Sequence, residues 1–151
     1  MAILIQHEDG KWHLWSKNGE GKKSVDDKND LGTEAFDSPE QFINGDRNKP
    51  DKSETGKYKE GYVIPTTPEE DATIRTVVSE QVESKYHFLS ANCAIAVQKG
   101  LKSAGLKSGT RKPDPLKTMI GNKVMRDSPN NIFPRIKKSN SGYSVKRQQR
   151  R

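Results

Sequence analysis

Hydrophobic positions in this 151-residue chain come in short bursts separated by long polar stretches. Two apolar runs, 2–6 and 12–16, flank His7-Glu8-Asp9-Gly10-Lys11. Asp-Gly between two such runs predicts a β-hairpin. In its second strand, alternation sends Trp12 and Leu14 to one face and His13 and Trp15 to the other. Residues 17–60 are dominated by Lys, Asp, Asn, Gly, Ser and Glu and read mostly as loop. Inside that stretch, Ser38-Pro39-Glu40-Gln41 predicts one short helix through Phe42 and Ile43, stopped near Gly45. The segment 61–65 (GYVIP) reads as a strand.

Helical signals strengthen after residue 66. Thr67 as cap, Pro68 in the first position and Glu70 closing a capping box predict a helix over 68–83. Glu69, Glu70 and Asp71 suit its positive end. Ile74, Val77, Val78 and Val82 form the buried stripe. Residues 86–89 make a strand-like link. A second helix spans about 91–104, with Ala94, Val97, Leu101 and Ala104 inside and Gly105 ending it. Beyond Leu106, Pro113 and Pro115 break the pattern, and 116–120 suits a single turn. Ile132, Phe133 and Ile136 suit a short docked segment, and from Lys137 onward the chain reads as disordered. The fold class is therefore α+β. One small antiparallel sheet, made of the hairpin, GYVIP and the 86–89 strand, is packed by two main helices. The organisation is a core at 1–106, a basic extension docked on it at 107–142, and a disordered basic tail at 143–151.

Only 30% of the chain is hydrophobic and 31% is charged, so the core is small and the loops long. The net charge of +7 is unevenly spread: residues 1–105 carry −4 and residues 106–151 carry +11. A basic third attracts nucleic acid, an acidic partner or an anionic surface, or keeps a tail solvated. A single cysteine excludes an internal disulfide framework. No run approaches the ~20 apolar residues of a membrane span, and no signal peptide is visible. A domain of this kind is expected to reach its site of action within a larger secreted polypeptide. No cofactor is expected, and no metal site: CxxC, HxxxH and HExxH are all missing. There is likewise no phosphate loop and no GxSxG elbow.

The sharpest candidate is Cys93. Ser90 or Asn92 caps its helix, which puts the thiol in the first turn, where helix N-termini favour thiolate and free N–H groups can hold an oxyanion. An ordinary small buried cysteine is the competing reading. A nucleophile needs a base, and only His7, His13 and His87 are present. His87 is too close in sequence, and His7 lies in the turn. His13, on a strand able to pack against the Cys93 helix, is the expected partner, within about 4–8 Å of the sulfur.

A hairpin strand with His, a polar insert and Asn-Cys at a helix start resembles the circularly permuted papain-like families. These include the lecithin–retinol acyltransferase type and the NlpC-like cell-wall peptidases. The segments AILIQ (2–6), GKWHLWSKNG (10–19) and Asn92-Cys93-Ala94 with Val97, Leu101 and Ala104-Gly105 are similar to papain-like domains at the C-terminus of bacterial Rhs repeat toxins. So are PNNIF (129–133) and NSG (140–142). The resemblance implies Cys93 as nucleophile, His13 as the orienting polar residue, and Asn92 as oxyanion or structural support. The principal His of these families lies at the head of the first strand, directly before the position of Met1. The implied function is a toxin or effector domain, a cysteine hydrolase or acyl transferase acting on an amide or ester in a protein, peptide or lipid. A cognate immunity or inhibitor protein is the implied partner. The rival is a non-catalytic module whose basic third binds nucleic acid or an acidic protein. Few aromatics stand among its basic residues, only Phe133 and Tyr143, which weakens the nucleic-acid version.

Overall fold

A computed structural model of the chain describes residues 1–17, 29–48, 58–84, 92–110 and 129–148. The expected strand at 86–89 and turn at 116–120 lie outside the described residues. The fold is α+β. The hairpin forms as its turn signal requires: β1 (Ile3–Gln6) pairs antiparallel with β2 (Trp12–Ser16), with Ile3 opposite Trp15 and Ile5 opposite His13. A third strand, β3 (Asp30–Phe36), extends the sheet in the order β1-β2-β3. It falls in a stretch read as loop. Most of its residues are half-buried or exposed, so edge pairing rather than an apolar face holds it, and it carries no readable alternation.

Between His13 and Trp15 the β2–β3 register shifts: Trp15 opposes Leu31, while His13 opposes Ala35. Gly32 sits in this irregularity at φ +75°, and a Cβ there would meet the Trp15 ring at 2.3 Å. Only glycine combines that backbone conformation with an indole lying on it. Leu14 and Trp15 are both buried while β1 and β2 stay in register, so both faces of β2 are covered at this point.

Helix α1 (Pro39–Asn44) starts at Ser38, whose side chain accepts the Gln41 N–H, and Gly45 caps its end. A 3-10 turn, Asp46–Asn48, follows. Asn48 is fully buried. It donates to the Ile43 and Tyr58 carbonyls at 2.8 and 2.7 Å and accepts the Tyr58 N–H at 2.7 Å. Strand β4 (Glu60–Val63) comes next, then α2 (Pro68–Glu83), with the complete Thr67–Glu70 capping box in place. Ile74, Val78 and Val82 are buried, with Ile5, Trp15 and Ala96 in the same cluster; Val77 is half-buried. Helix α3 (Cys93–Ser103) packs close against α2, since a Cβ on Gly100 would lie 2.6 Å from Val78 Cγ2. Gly105, at φ +74°, follows its end.

Residues 129–148 are more regular than their composition suggests. Helix α4 (Pro129–Ser139) buries Ile132 and Ile136 against Ala94, Val97 and Leu101. The chain then forms β5 (Tyr143–Lys146), antiparallel to β4. The expectations of disorder from Lys137 and over 143–151 are therefore corrected through Arg147, whose N–H still donates to the Lys59 carbonyl at 3.1 Å. Backbone pairing and one buried side chain, Val145, are enough to seat four residues that lack an apolar pattern. The single expected sheet is corrected too: β4 pairs with β5, not with the hairpin, and makes a separate two-stranded sheet.

Candidate functional site

Cys93 is the first residue of α3. Asn92 is the cap, and its Oδ1 accepts the N–H groups of Ala94 and Ile95 at 2.9 and 3.0 Å. Those two N–H groups are thus spent on capping rather than waiting for an oxyanion. The Cys93 N–H is the first-turn donor without a partner among the described residues. The role of Asn92 here is support, exerted by holding the helix start rigid.

The Cys93 thiol is half-buried and accepts from the Met1 nitrogen at 3.1 Å. The head of β1 thus lies directly against Sγ. Tyr58, on the chain leading into β4, is also near. Burial pushes its phenol well above the ordinary range, and the adjacent Cys93 and Asp30 add to that effect, so the phenol is held as a donor. Tyr58 was not singled out from the sequence; it lies just past a polar stretch with no periodicity to mark it.

Below the thiol, Lys17 at the end of β2 is 3% exposed. Its Nζ donates to the carbonyls of Gln81 at 2.6 Å, Val82 at 3.3 Å and Ser84, and to Ser84 Oγ at 3.0 Å. Asn29 adds a bond to the Val82 carbonyl at 3.0 Å. Helix α2 has no basic residue in its own last turn; a lysine from the sheet supplies the cation its negative end favours.

His13 stands elsewhere. One ring nitrogen, Nδ1, bonds the Gly32 carbonyl at 2.8 Å, and Nε2 faces Asp9 Oδ2 at 3.1 Å. Its ring stacks on His7 with centroids 4.0 Å apart. Both nitrogens are therefore turned to oxygen acceptors and none to a thiol. His13 lies opposite Ile5, four residues along β1 from Met1, which is roughly 13 Å at strand rise. The expected Cys93–His13 pair is not formed. His13 lies toward the turn end of the hairpin, whereas Met1, which contacts Cys93, lies at its open end.

The turn end is a polar cluster of its own. Arg75 Nη1 donates to His7 Nε2 at 3.1 Å, so the His7 proton sits on Nδ1. Burial, then His13, then Arg75 lower the His7 pKa. The Lys11 N–H and the His13 side chain hold the Asp9 carboxyl below its ordinary value. His87 lies outside the described residues. Among the described residues, no group of three or more His, Cys, Asp or Glu could hold a metal ion, and no helix is long and apolar enough to cross a membrane.

A cavity of about 560 Å³ runs between β1 and β4. Met1, whose nitrogen contacts Cys93 Sγ, and Tyr58 line it, and its walls include Phe42, Ile43, Val97 and Leu101. Comparison of the chain with protein-family models, curated proteins and solved structures found no match.

Proposed function

We propose that this chain is a bacterial toxin or effector domain with papain-like cysteine chemistry, a hydrolase or acyl transferase acting on an amide or ester. One observation carries the reading: Cys93 opens a capped helix with its thiol 3.1 Å from the nitrogen of Met1, just ahead of β1, and Met1 lines a cavity large enough for a ligand. Sγ attacks the carbonyl carbon, forming an S–C bond, and the oxygen takes up negative charge facing the Cys93 N–H. The C–N or C–O bond then breaks, the leaving group takes a proton, and water or an acceptor resolves the thioester. The base belongs at the head of β1. The families the chain resembles carry their principal His directly before the position of Met1, and that end of the strand abuts the sulfur here. His13 keeps no catalytic part in this reading; it orders the hairpin turn.

A second reading has its own support. The imidazoles of His7 and His13 bond Arg75, Asp9 and Gly32 rather than Cys93, and α4, β5 and the residue after it carry Arg135, Lys137, Lys138, Lys146 and Arg147, of which Lys137 pairs with Glu60. A non-catalytic module binding nucleic acid or an acidic protein, such as an immunity protein, fits those facts. Two measurements separate the readings. The first is iodoacetamide labelling of the folded chain, and the second is turnover of p-nitrophenyl acetate by the chain with and without Gly-His added ahead of Met1. The enzyme reading expects labelling before unfolding. It also expects a one-equivalent burst in the extended chain, abolished by Cys93→Ser and kept by His13→Ala. Labelling only after unfolding in urea would overturn it and leave the binding module.

A further inference from the structure

Residues of two edge strands line the cavity, and neither strand has a further strand paired to it among the described residues: β1 is the outer strand of its sheet, and β4 pairs only with β5. Their hydrogen-bonding direction follows from the turn contacts. The His7 N–H donates to the Lys11 carbonyl at 2.9 Å, and the pairs Ile5–His13 and Ile3–Trp15 continue that register. Opposed residues in an antiparallel ladder alternate between bonded and non-bonded pairs. Ile3 and Ile5 therefore spend their backbone groups on β2, whereas Ala2 and Leu4 turn N–H and C=O to the open edge. The Arg147 N–H donates to the Lys59 carbonyl, so by the same count Gly61 and Val63 bond β5, while Glu60 and Tyr62 face outward. Residues 1–5 and 59–64 all line the cavity.

We propose that this slot binds an extended peptide, which adds as a strand to β1 and β4 and carries one of its peptide bonds past Cys93. Unpaired backbone donors and acceptors in an apolar cavity are costly. A lipid chain would leave those backbone groups unbonded. A peptide supplies them with backbone partners at strand spacing, as in other strand-addition sites. Residues 1–5 span about 17 Å if extended, which suits a five- or six-residue segment. The bound peptide would join the two sheets into one, in the order β5-β4-peptide-β1-β2-β3. Naming the peptide as substrate rests on the Cys93 chemistry proposed above; its binding does not.

The test uses the full chain carrying Cys93→Ala and the peptide acetyl-Val-Ala-Val-Ala-Val-Lys-amide, read by amide hydrogen exchange. In the free chain, Ile3, Ile5, Gly61 and Val63 should exchange slowly and Ala2, Leu4, Glu60 and Tyr62 fast. The peptide should slow the fast set by roughly tenfold or more, and N-methylating either alternate set of its residues should remove the effect. Leu4→Pro, which deletes one outward N–H on an edge strand, should weaken binding; if that variant does not fold, the N-methyl peptides still decide. The proposal is overturned if the peptide protects none of the four amides or protects only β3. It is equally overturned if they are already slow in the free chain, so that the slot is filled from within, or slow only with rising protein concentration, so that a second copy fills it. Protection by the peptide with a Cys93 that labels only after unfolding would keep the slot and remove the hydrolase. Rapid labelling without protection would do the reverse.

Discussion

The open end and the turn end of the β1–β2 hairpin hold different chemistry. At the open end stand the two helix termini of the α2–α3 pair. The negative end of α2 is met by buried Lys17, and the start of α3 presents Cys93 to the head of β1. At the turn end, His7 and His13 stack between Asp9 on one side and Arg75 on the other. A helix start can only be where the helical hairpin turns, and the Asp-Gly turn can only be at the far end of the strands. The nucleophile candidate and the imidazoles are held apart by the lengths of the elements that carry them.

Lys17→Met gives the largest effect expected at the open end. It leaves several carbonyls at the end of α2 without their donor and should cost roughly 2–4 kcal/mol, read as a lowered urea midpoint. A change as small as that of an exposed lysine would mean the α2 terminus is not what anchors this end. Removing residues 143–151 takes away β5 and Val145, exposing β4. The expected loss is about 2–3 kcal/mol, and a melting temperature unchanged by the truncation would show that β5 adds nothing. Gly32→Ala probes the boundary between the two ends, because it strains a positive φ and pushes on the Trp15 ring. It should cost about 1–3 kcal/mol and alter Trp fluorescence, while leaving Cys93 labelling intact if the ends are independent.

The smallest effect expected is acid sensitivity at the turn. The His7 pKa lies below the ordinary 6.5 in the fold, so the unfolded chain binds its proton more readily. That contribution to stability is complete above pH 6.5 and is lost as pH falls through 6.5 toward the folded value. Protonation removes the lone pair that accepts from Arg75. Denaturation midpoints measured between pH 7.5 and 5.5 should fall, and His7→Gln should flatten the decline. An unchanged slope in that variant would assign the acid sensitivity to another group.

Much of the fold was legible because its signals are local. The Asp9-Gly10 turn, the Thr67–Glu70 capping box, the stripe Ile74, Val78 and Val82, and Asn92-Cys93 at a helix start each involve neighbours within about one helical turn. Strands β3 and β5 were not legible. Their residues are mostly half-buried or exposed, so pairing with β2 and β4 defines them, and pairing is a property of two distant segments. Of the site, the position of Cys93 was legible, its cap was narrowed to Ser90 or Asn92, and the partner of Cys93 was not legible. The hairpin face of His13 follows from alternation, but alternation says nothing of position along the strand relative to another element.

The sequence by itself determined where α1, α2, α3 and the hairpin lie, and that the single cysteine heads a helix. Those outcomes rest on capping, turn chemistry and side-chain period, which act within a few residues. Only the tertiary structure decided that His13 serves the turn, that Lys17 closes α2, and that the strands divide into two sheets with a slot between them. Each depends on which ends of separate elements meet, and that is set by the packing of α2 and α3 across the sheet.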